Sequence, residues 1–414
     1  MHAAVVLFNR DLRVHDHPAL ARAAREAEHV VPLFVLDDRL LASRYAAPNR
    51  LAFMLDSLHD LDSSLRGRGA GLVIRRGDVV KEAIEVALEA KAEALYTSSD
   101  VSAYAQRRET ALEGACEENR IAFEAMPGVT VVPAGDLTAS DGDHFKVFTP
   151  YWRRWSVTDL RAVEDAPRKL SLPPGTTKGR LPKLEDLAAG DTSPDLAKGG
   201  EEEARRRLTS WNGSGVGDYD QNHDDLAGDA TSRLSPFLHF GCVSPLECLE
   251  RARDNDNDHS FARQLCWRDF HHQVTAAFPE LPRKDYRPRG HRWRDDPEAL
   301  EAWKEGRTGC AIVDAGMRQL LQEGWMHNRA RLITASFLTK DLQIDWREGA
   351  GHFWDWLVDG DIANNAANWQ WVAGTGNDTR PNRKFNPSRQ AKRFDPDGEY
   401  VRRYAPELAD LRLI

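Results

Sequence analysis

The segment at residues 359–371, DGDIANNAANWQW, concentrates two aspartates, three asparagines and two tryptophans in thirteen positions. In a helix, Asp361, Asn365 and Trp369 fall at i, i+4 and i+8, so a carboxylate, an amide and an indole lie along one face. A core face would carry apolar side chains instead, because buried polar groups need partners. We therefore expect this face to line a binding site.

Four other segments combine side chains that could contact a charged ligand. The segment TSRLSPFLHFG, at residues 231–241, places three hydroxyls and an arginine ahead of an apolar stretch, and such hydroxyls hold phosphate well. Indoles stand beside Arg, Asp and His in CWRDFHH (266–272), GWMHNRAR (324–331) and WREG (346–349). Taken singly, these segments also fit helix caps and core tryptophans with a salt bridge.

The amino-terminal part has the sequence pattern of a β-sheet with helices packed on it. Short β-branched runs alternate with amphipathic stretches through the first 135 residues, which is typical of βαβ units on a parallel sheet. The predicted strands are AAVVLF, VVPLFVL, GLVIRRG and ALYTSS. A ligand would lie at their carboxyl ends, where the segments 9–11, 37–38 and 98–100 are polar. No GxGxxG motif is present, so we do not expect a nicotinamide dinucleotide.

The composition changes after this region. Residues 165–205 are rich in Pro, Gly, Lys and Asp, which is typical of a connection between domains, and the chain beyond them has helical periodicity. We predict an α/β + all-α architecture: a Rossmann-like, parallel-sheet α/β domain at residues 1–135, a linker at 136–205 and an all-helical domain at 206–414.

Length and composition exclude several classes of protein. At 414 residues the chain exceeds one ordinary core, and its 41% hydrophobic and 29% charged residues are typical of a globular protein. It has no apolar run of membrane-spanning length and no signal-peptide pattern, so we expect a cytoplasmic protein that does not enter a membrane. Its five cysteines lack the spacing of a disulfide frame or a zinc site, and we expect no metal.

The charge is unevenly distributed. The net charge of −9 argues against a uniformly basic nucleic-acid binder. Residues 283–294 nevertheless carry six Lys or Arg against one Asp, and residues 380–403 carry eight against three acids. Such runs can neutralise phosphates on one face of an acidic protein, although charge alone also fits a solvated surface.

In order and spacing, the segments together resemble the DNA photolyase/cryptochrome family, and they are most similar to its bacterial cyclobutane-pyrimidine-dimer photolyases. The resemblance is carried by LFNRDLRVHDHPAL, TSRLSP, WRDF, MRQLLQEGWMHNR, ASFLTKDLQIDWREG, DGDIANNAANWQW and FNPSRQAKRFD. It spans nearly the whole chain. The resemblance implies light-driven repair of UV-damaged DNA by reduced FAD, which passes an electron to the flipped dimer and regains it.

The resemblance also implies roles for individual residues. The FAD, folded into a U in the helical domain, would be bound by Tyr219, Thr231, Ser232, Arg233, Leu234, Ser235, Arg268, Asn328, Arg331, Asp359, Gly360, Asp361 and Asn365. Arg331 is expected to pair with Asp341. Asn365 is expected to face flavin N5, where an amide adds no negative charge and so suits the anionic reduced flavin.

Electron supply and substrate contacts follow from the same resemblance. Trp369, Trp346 and Trp293 match the three-tryptophan chain that carries electrons from the surface to the photoexcited flavin. The expected contacts with damaged DNA are Gln264, Trp267, Asn328, Arg329, Trp371 and Gln390. Of these, Trp267 and Trp371 match the aromatic walls of the cavity for a flipped lesion.

The chain departs from the dimer-repair pattern at three positions. Gln264 replaces a Glu that binds the damaged bases, Leu332 replaces a frequent Met, and His223 replaces a DNA-contacting Arg. A Gln is frequent among (6-4) photoproduct enzymes, but those carry a second His where this chain has Asn328. Cyclobutane dimers are therefore the expected substrate. A cryptochrome-like photoreceptor is a third interpretation, and it would predict a degraded cavity.

A second, light-harvesting chromophore is expected in the α/β domain. Arg10, Asp37 and Asp100, at strand ends, match polar positions around an antenna of the 8-hydroxy-5-deazaflavin type. A methenyltetrahydrofolate antenna is the alternative. We expect the protein to act as a monomer.

Overall fold

The computed structural model describes residues 1–140 and 142–413. Its amino-terminal part holds five strands: β1 (Ala3–Phe8), β2 (His29–Asp37), β3 (Val73–Gly77), β4 (Ala94–Ser98) and β5 (Ala122–Met126). The helices between them are α1 (Pro18–Glu26), α2 (Asp38–Leu41), α3 (Pro48–Arg66), α4 (Val79–Glu89) and α5 (Ala103–Glu118). The α/β and all-helical classes predicted for the two parts are confirmed.

All strands pair in parallel, in the order β3-β2-β1-β4-β5, with Val5 of β1 opposite Val31 of β2 and Leu95 of β4. Because every residue of β1 is buried, its side chains serve both faces of the sheet. The chain order reverses between β1 and β4, and in open α/β sheets the ligand site lies at the carboxyl ends of the strands beside such a point. Four strands match the prediction; β5 was missed.

The carboxyl-terminal part is helical. Its helices are α6 (Phe148–Trp155), α7 (Glu201–Ser214), α8 (Tyr219–Asn222), α9 (Ser235–Phe240), α10 (Pro245–Ala252), α11 (Ser260–Ala277), α12 (Pro297–Lys304), α13 (Ala311–Glu323), α14 (Asn328–Ser336), α15 (Trp346–Trp356), α16 (Ile362–Ala373), α17 (Pro387–Phe394) and α18 (Glu399–Tyr404). Short 3₁₀ turns at Leu184–Asp186 and Pro406–Leu413 and a π-helical turn at Phe337–Asp341 complete it. Among the described residues, none of these helices is long and apolar enough to span a membrane.

One apolar core joins the two parts. The face of β1 that carries Val6 and Phe8 packs into the same cluster as Phe53 of α3, Phe237 of α9 and Phe270 of α11. A second cluster, which contains Trp303, Trp346 and Trp369, is confined to the helical part apart from the bordering Tyr45. The sheet and the helices are therefore fixed against one another by continuous packing.

The segment at residues 165–200 runs along the surface of the α/β part as a hydrogen-bonded strap. The backbone N–H of Leu170 donates to the carbonyl of Arg68 at 2.7 Å, and the N–H of Ile74 donates to the carbonyl of Lys178 at 2.6 Å. Farther along, the N–H of Asp195 donates to the carbonyl of Gln322 at 2.9 Å. The predicted linker at 136–205 contains this strap, and α6 and the start of α7 also lie within it; the domain boundaries stay predictions.

Candidate functional site

A cavity of about 470 Å³ opens in the helical part between α11, α14, α16 and the segment that precedes α9. Thirteen of the predicted contact residues line it: Tyr219, Thr231, Ser232, Ser235, Gln264, Trp267, Arg268, Asn328, Arg329, Arg331, Asp359, Asp361 and Trp371. These residues come from segments as far apart in the chain as 219 and 371, so the fold brings the predicted FAD and DNA contacts to one place.

The helix α16 presents two different faces. Asp361 is its N-cap rather than a helical residue, and its Oδ1 accepts a hydrogen bond from the N–H of Asn364 at 2.8 Å. Asn364 and Asn368, one turn apart, line the large cavity together with Asp361 and Trp371. The sequence prediction missed both asparagines, although their spacing from Trp371, i, i+4 and i+7, marks them as one face.

The neighbouring face of α16 borders a smaller cavity of about 70 Å³. Asn365 and Trp369 line it, and the Asn365 side chain donates to the backbone carbonyl of Ala350 at 3.1 Å. Asn328, Arg331 and other side chains border both cavities. The predicted stripe of Asp361, Asn365 and Trp369 is therefore divided between two adjoining spaces.

The cation of Arg331 is held on the cavity wall by Asp359. The two groups lie 2.8 Å apart, and Arg331 also donates to the carbonyl of Met326 at 2.8 Å. The predicted partner, Asp341, instead forms an ion pair with Lys384 at 2.6 Å, so the predicted pairing is wrong. Asp359 is buried, and its Oδ1 has no partner in the described protein, which leaves one acceptor for a ligand.

The segment at 231–235 divides in the same way. Thr231, Ser232 and Ser235 line the cavity, and the buried Oγ1 of Thr231 has no partner in the described protein. Arg233 is absent from the cavity wall because its guanidinium pairs with Asp229 at 2.5 Å and Glu323 at 2.6 Å. Leu234 is 1% exposed and belongs to the apolar core. Of the three hydroxyls, that of Thr231 is free for a ligand in the described part of the chain, whereas that of Ser235 accepts from the indole N–H of Trp325 at 3.1 Å.

The outer wall of the cavity is aromatic and polar. Trp267 stacks on Phe148 with their ring centroids 3.7 Å apart, and the exposed Gln264 lies one turn away on α11. The guanidinium of Arg329 binds both oxygens of Asp224, at 3.0 and 2.5 Å. An anionic ligand would therefore compete with Asp224 for Arg329.

Trp371 and Gln390, both predicted to contact DNA, differ in placement: Trp371 lines the cavity and Gln390 does not. The guanidinium of Arg383 lies 4.7 Å from the Trp371 ring centre. Gln390, on α17, does not line the cavity, and its Oε1 has no partner among the described residues.

The three predicted electron-transfer tryptophans differ in burial. Trp369 and Trp346 are 2% and 0% exposed and share one apolar cluster, at whose margin the half-buried Trp293 packs. The indole N–H of Trp346 donates to Asp285 at 2.9 Å. The ring contacts of Trp369 are with Phe353 and Trp303, at centroid distances of 4.9 and 6.0 Å. Of the three, Trp369 lines the smaller cavity and Trp293 is the most exposed.

Three histidines that the sequence analysis did not assign lie at or behind the cavity wall. His239 and His271 line the cavity, and His272 lies 3.7 Å from Asp361. Burial lowers the pKa of His271 and of His272 to about 4, so both imidazoles are neutral at physiological pH. The ring Nδ1 of His271 lies 2.9 Å from Oδ1 of Asn364, which makes it the donor in that hydrogen bond.

A second cavity, of about 250 Å³, lies at the carboxyl ends of β1, β2 and β4. Arg10, Asp37 and Asp100 all line it, as predicted for a chromophore site, and most of its other walls are apolar. Gly360, predicted to contact FAD, borders this cavity instead. Arg108, which the sequence analysis missed, adds a cation whose Nε has no partner in the described protein.

Burial disfavours the charged forms of two groups that line this second cavity. Burial raises the pKa of Asp37 and lowers the pKa of Arg108. Asp37 keeps one hydrogen bond, from the N–H of Arg39 at 2.8 Å, whereas its Oδ2 has no described partner. The cavity thus offers a ligand one carboxylate and one guanidinium in a largely apolar setting.

Arg10 lines the second cavity and reaches the wall of the first through Asp361. Its Nη1 lies 3.3 Å from Asp100 in the second cavity, and its Nη2 forms a hydrogen bond with Asp361 on the wall of the first. Its Nε donates to the carbonyl of His239 at 3.1 Å, and the ring of His239 borders both spaces. Although burial alone would raise it, Arg10 and Arg268 hold the pKa of the Asp361 carboxyl well below its usual range.

Comparisons with known families match most of the chain. The family described as DNA photolyase matches residues 4–169, and the family described as the FAD binding domain of DNA photolyase matches residues 261–413. The second match contains α14, α16 and all of α11 after Ser260, and these helices form three walls of the large cavity.

Individual proteins and solved structures that are similar to this chain are also photolyases. A curated deoxyribodipyrimidine photo-lyase of Streptomyces griseus is 52% identical over 99% of this chain and 91% of its own. A crystal structure of a class III photolyase from Agrobacterium tumefaciens is similar with a TM-score of 0.91 and 34% identity, over 98% of this chain and 87% of that one. An archaeal photolyase structure from Sulfolobus tokodaii, described with two FAD molecules, has a TM-score of 0.87 and 32% identity over 99% and 91% of the two chains.

Proposed function

Since the chain belongs to the DNA photolyase family, we propose that it is a deoxyribodipyrimidine photo-lyase that uses light and reduced FAD to split cyclobutane pyrimidine dimers in DNA. The observation that carries this proposal is the 470 Å³ cavity, which joins the predicted FAD contacts to the predicted lesion contacts. The identity of 52% with the Streptomyces griseus enzyme supports the same reaction.

The cavity residues fit a flavin dinucleotide. The buried Oδ1 of Asp359 and Oγ1 of Thr231 have no described partners and can meet donors and phosphate oxygens of a ligand. Arg268, buried in the wall of the same cavity, is anchored to the carbonyls of Val129 and Leu238 at 2.5 and 3.3 Å and presents a fixed positive charge. Neutral His271 and the amides of α16 add hydrogen bonds without further charge.

When bound and reduced, FAD supplies the electron that opens the dimer after light absorption. The protein positions the lesion. Trp267 and Trp371 provide apolar walls for a base taken out of the duplex, and Gln264 can both donate to and accept from a pyrimidine edge. The exposed Asn328, which borders both adjoining cavities, offers an amide on the same side.

Repair of the (6-4) photoproduct is a second candidate, and the amide of Gln264 at the cavity mouth favours it. Asn328 opposes it, because an amide cannot transfer a proton as an imidazole can. The two substrates can be separated directly. Oligonucleotides that carry each lesion are mixed with chemically reduced protein and irradiated, and repair per absorbed photon is measured. We expect cyclobutane repair to dominate; (6-4) repair alone would overturn the assignment.

We further propose that the 250 Å³ cavity of the α/β part holds an antenna chromophore. Its apolar walls suit a flat ring system, and Arg108 and Asp37 can pair with its polar groups. The two candidates are a deazaflavin of the 8-hydroxy type and methenyltetrahydrofolate. The absorption spectrum of the purified protein tests this proposal, because each chromophore adds a band distinct from that of FAD.

A further inference from the structure

The guanidinium of Arg10 is the shared ionic partner of two carboxylates from different parts of the fold. Arg10 follows β1, Asp100 follows β4, and Asp361 is the N-cap of α16. The Asp100 and Asp361 side chains are 9% and 6% exposed, so neither charge is solvated well. Removal of the cation would leave two buried carboxylates facing one site.

We propose that Arg10 is a positioning residue that couples the two cavities, by fixing Asp361 for flavin binding while it holds Asp100 in the wall of the α/β cavity. The inference rests on the proposed binding of FAD in the helical cavity. It extends that function, because it assigns control of flavin affinity to a residue outside the helical part. By linkage, a change in the ion pair between Arg10 and Asp100 also changes the strength of the ion pair between Arg10 and Asp361.

The two carboxylate oxygens of Asp361 have different partners, and this supports the proposed role of Arg10. Its Oδ1 accepts from the backbone N–H of Asn364 at 2.8 Å and from the Asn364 side chain at 2.9 Å. Its Oδ2 faces Arg10, with His272 at 3.7 Å. One oxygen therefore starts α16, whose Asn364 and Asn368 line the flavin cavity, and the other ties that helix to the sheet.

Other charges would not replace Arg10. Arg268 neighbours Asp361 but donates to the carbonyls of Val129 and Leu238, and Arg108 neighbours Asp100 on the wall of the α/β cavity. Neither side chain forms a hydrogen bond to the two carboxylates among the described residues. The loss of Arg10 would thus remove the cation that is hydrogen-bonded to both Asp100 and Asp361, and their mutual repulsion would be less well compensated.

The test is FAD affinity of flavin-stripped protein, measured by quenching of free FAD fluorescence. We expect Arg10→Gln to weaken binding at least about tenfold, because a buried charge loses its partner. We expect the double variant Arg10→Gln/Asp100→Asn to bind FAD more tightly than Arg10→Gln, because one of the two repelling carboxylates is gone. A merely structural role for Arg10 would predict no such rescue.

Arg44→Gln is the matched control. Arg44 also joins the α/β part to the helical part, through both oxygens of Asp355 at 2.7 Å, but it is exposed and borders neither cavity. We expect it to bind FAD as the parent does. If Arg10→Gln failed to fold, Arg10→Lys would replace it, because an ammonium lacks the planar fork whose separate nitrogens bond the two carboxylates, and its weaker binding should again be relieved by Asp100→Asn.

The possible results separate two failures. Parent protein that does not bind FAD would refute the proposed function. Parent protein that binds FAD, with Arg10→Gln within about twofold of it or with no rescue in the double variant, would refute the coupling alone.

Discussion

Gly349 of α15 lies directly against the indole of Trp369: a Cβ added to Gly349 would stand 2.1 Å from Cη2 of that ring. The same Cβ would meet Leu338 at 2.6 Å, so the crowding comes from two sides. The absence of a side chain at position 349 therefore fixes where the indole can lie. This contact sets the position of the tryptophan that lines the smaller cavity beside the large one.

We predict that Gly349→Ala destabilises the protein by about 1–3 kcal/mol, the usual cost of overpacking a core. The measurement is the free energy of unfolding in denaturant. Gly114→Ala is the control, because Gly114 lies within α5 and a Cβ there meets nothing within 4 Å. It should be neutral or stabilising by up to about 1 kcal/mol. Equal effects of the two changes would show that the indole can shift freely.

Trp369→Phe should abolish photoreduction of bound oxidised flavin, because a phenyl ring is much harder to oxidise than an indole. Repair by chemically reduced protein should stay nearly unchanged. Trp303→Phe serves as the comparison, since Trp303 is also fully buried and packs 6.0 Å from Trp369. The rate of photoreduction in each of the two variants is measured from the absorbance of the flavin under steady illumination with an external electron donor. Normal photoreduction in the Trp369 variant would identify another donor.

Gln264→Glu should change lesion affinity or repair yield only modestly, by roughly 1 kcal/mol for one exchanged hydrogen bond. The neutral amide already donates and accepts, but it cannot supply a proton. The quantity to compare is repair per absorbed photon on both lesion types. A gain of more than about a hundredfold for the Glu variant would show that the native chain is adapted to another substrate.

DNA affinity should fall steeply with salt despite the net charge of −9. Arg393 tests this, because it is exposed on α17 and lies over Phe394, the ring on which Arg329 of the cavity wall also stacks. Arg393→Gln should reduce the slope of log affinity against log salt by roughly 1. Lys91→Gln, at an exposed turn before β4, should not. Binding of damaged DNA that is insensitive to salt would remove the basic runs from the interface.

Stability should depend on Glu109. Burial raises the pKa of Glu109 from its usual 4.5 to about 7, so between these values the folded protein holds a proton that the unfolded chain has lost. Stability contributed by this group is therefore present below about pH 4.5 and declines as the pH rises to about 7. Glu109→Gln keeps an acceptor for the N–H of Asp100, 3.0 Å away.

The variant should be more stable than the parent at pH 8 by on the order of 1–2 kcal/mol, after allowance for partial exposure, and nearly equal to it at pH 4. Denaturant unfolding at both values measures the difference. A variant that lost stability at pH 8 would show that the carboxylate is charged and favourable in the folded state.

The sequence predicted the secondary-structure elements better than it predicted which side chains pair with one another. Four strands were recognisable because they are apolar runs between helices, whereas β5, with the sequence AFEAM and two exposed alanines, is an edge strand with little apolar pattern. The family resemblance located most cavity residues, because whole motifs line the walls. Their detailed contacts depend on side-chain directions that a motif does not encode.

The Arg331 pairing illustrates that limit. Asp341 and Asp359 both follow Arg331 in the chain. Asp341 is the last residue of the π-helical turn and pairs with Lys384, whereas Asp359 lies on the cavity wall and pairs with Arg331. Arg10 illustrates it over a longer range, since its partner Asp361 is 351 positions away. Pairings of this kind follow from tertiary packing, which local periodicity cannot register.

The strap at residues 165–200 has a practical consequence for assembling this protein from pieces. Its exposed stretch at 189–191 lies between points where the chain is tied down, Lys178 to Ile74 on one side and Ser193 to Asn49 on the other, at 2.6 and 2.7 Å. A cut there severs the chain without freeing either end, and the apolar core shared by sheet and helices spans the two fragments. Two separately produced halves, 1–189 and 190–414, should therefore reassemble, which would make this stretch the natural place to divide the gene.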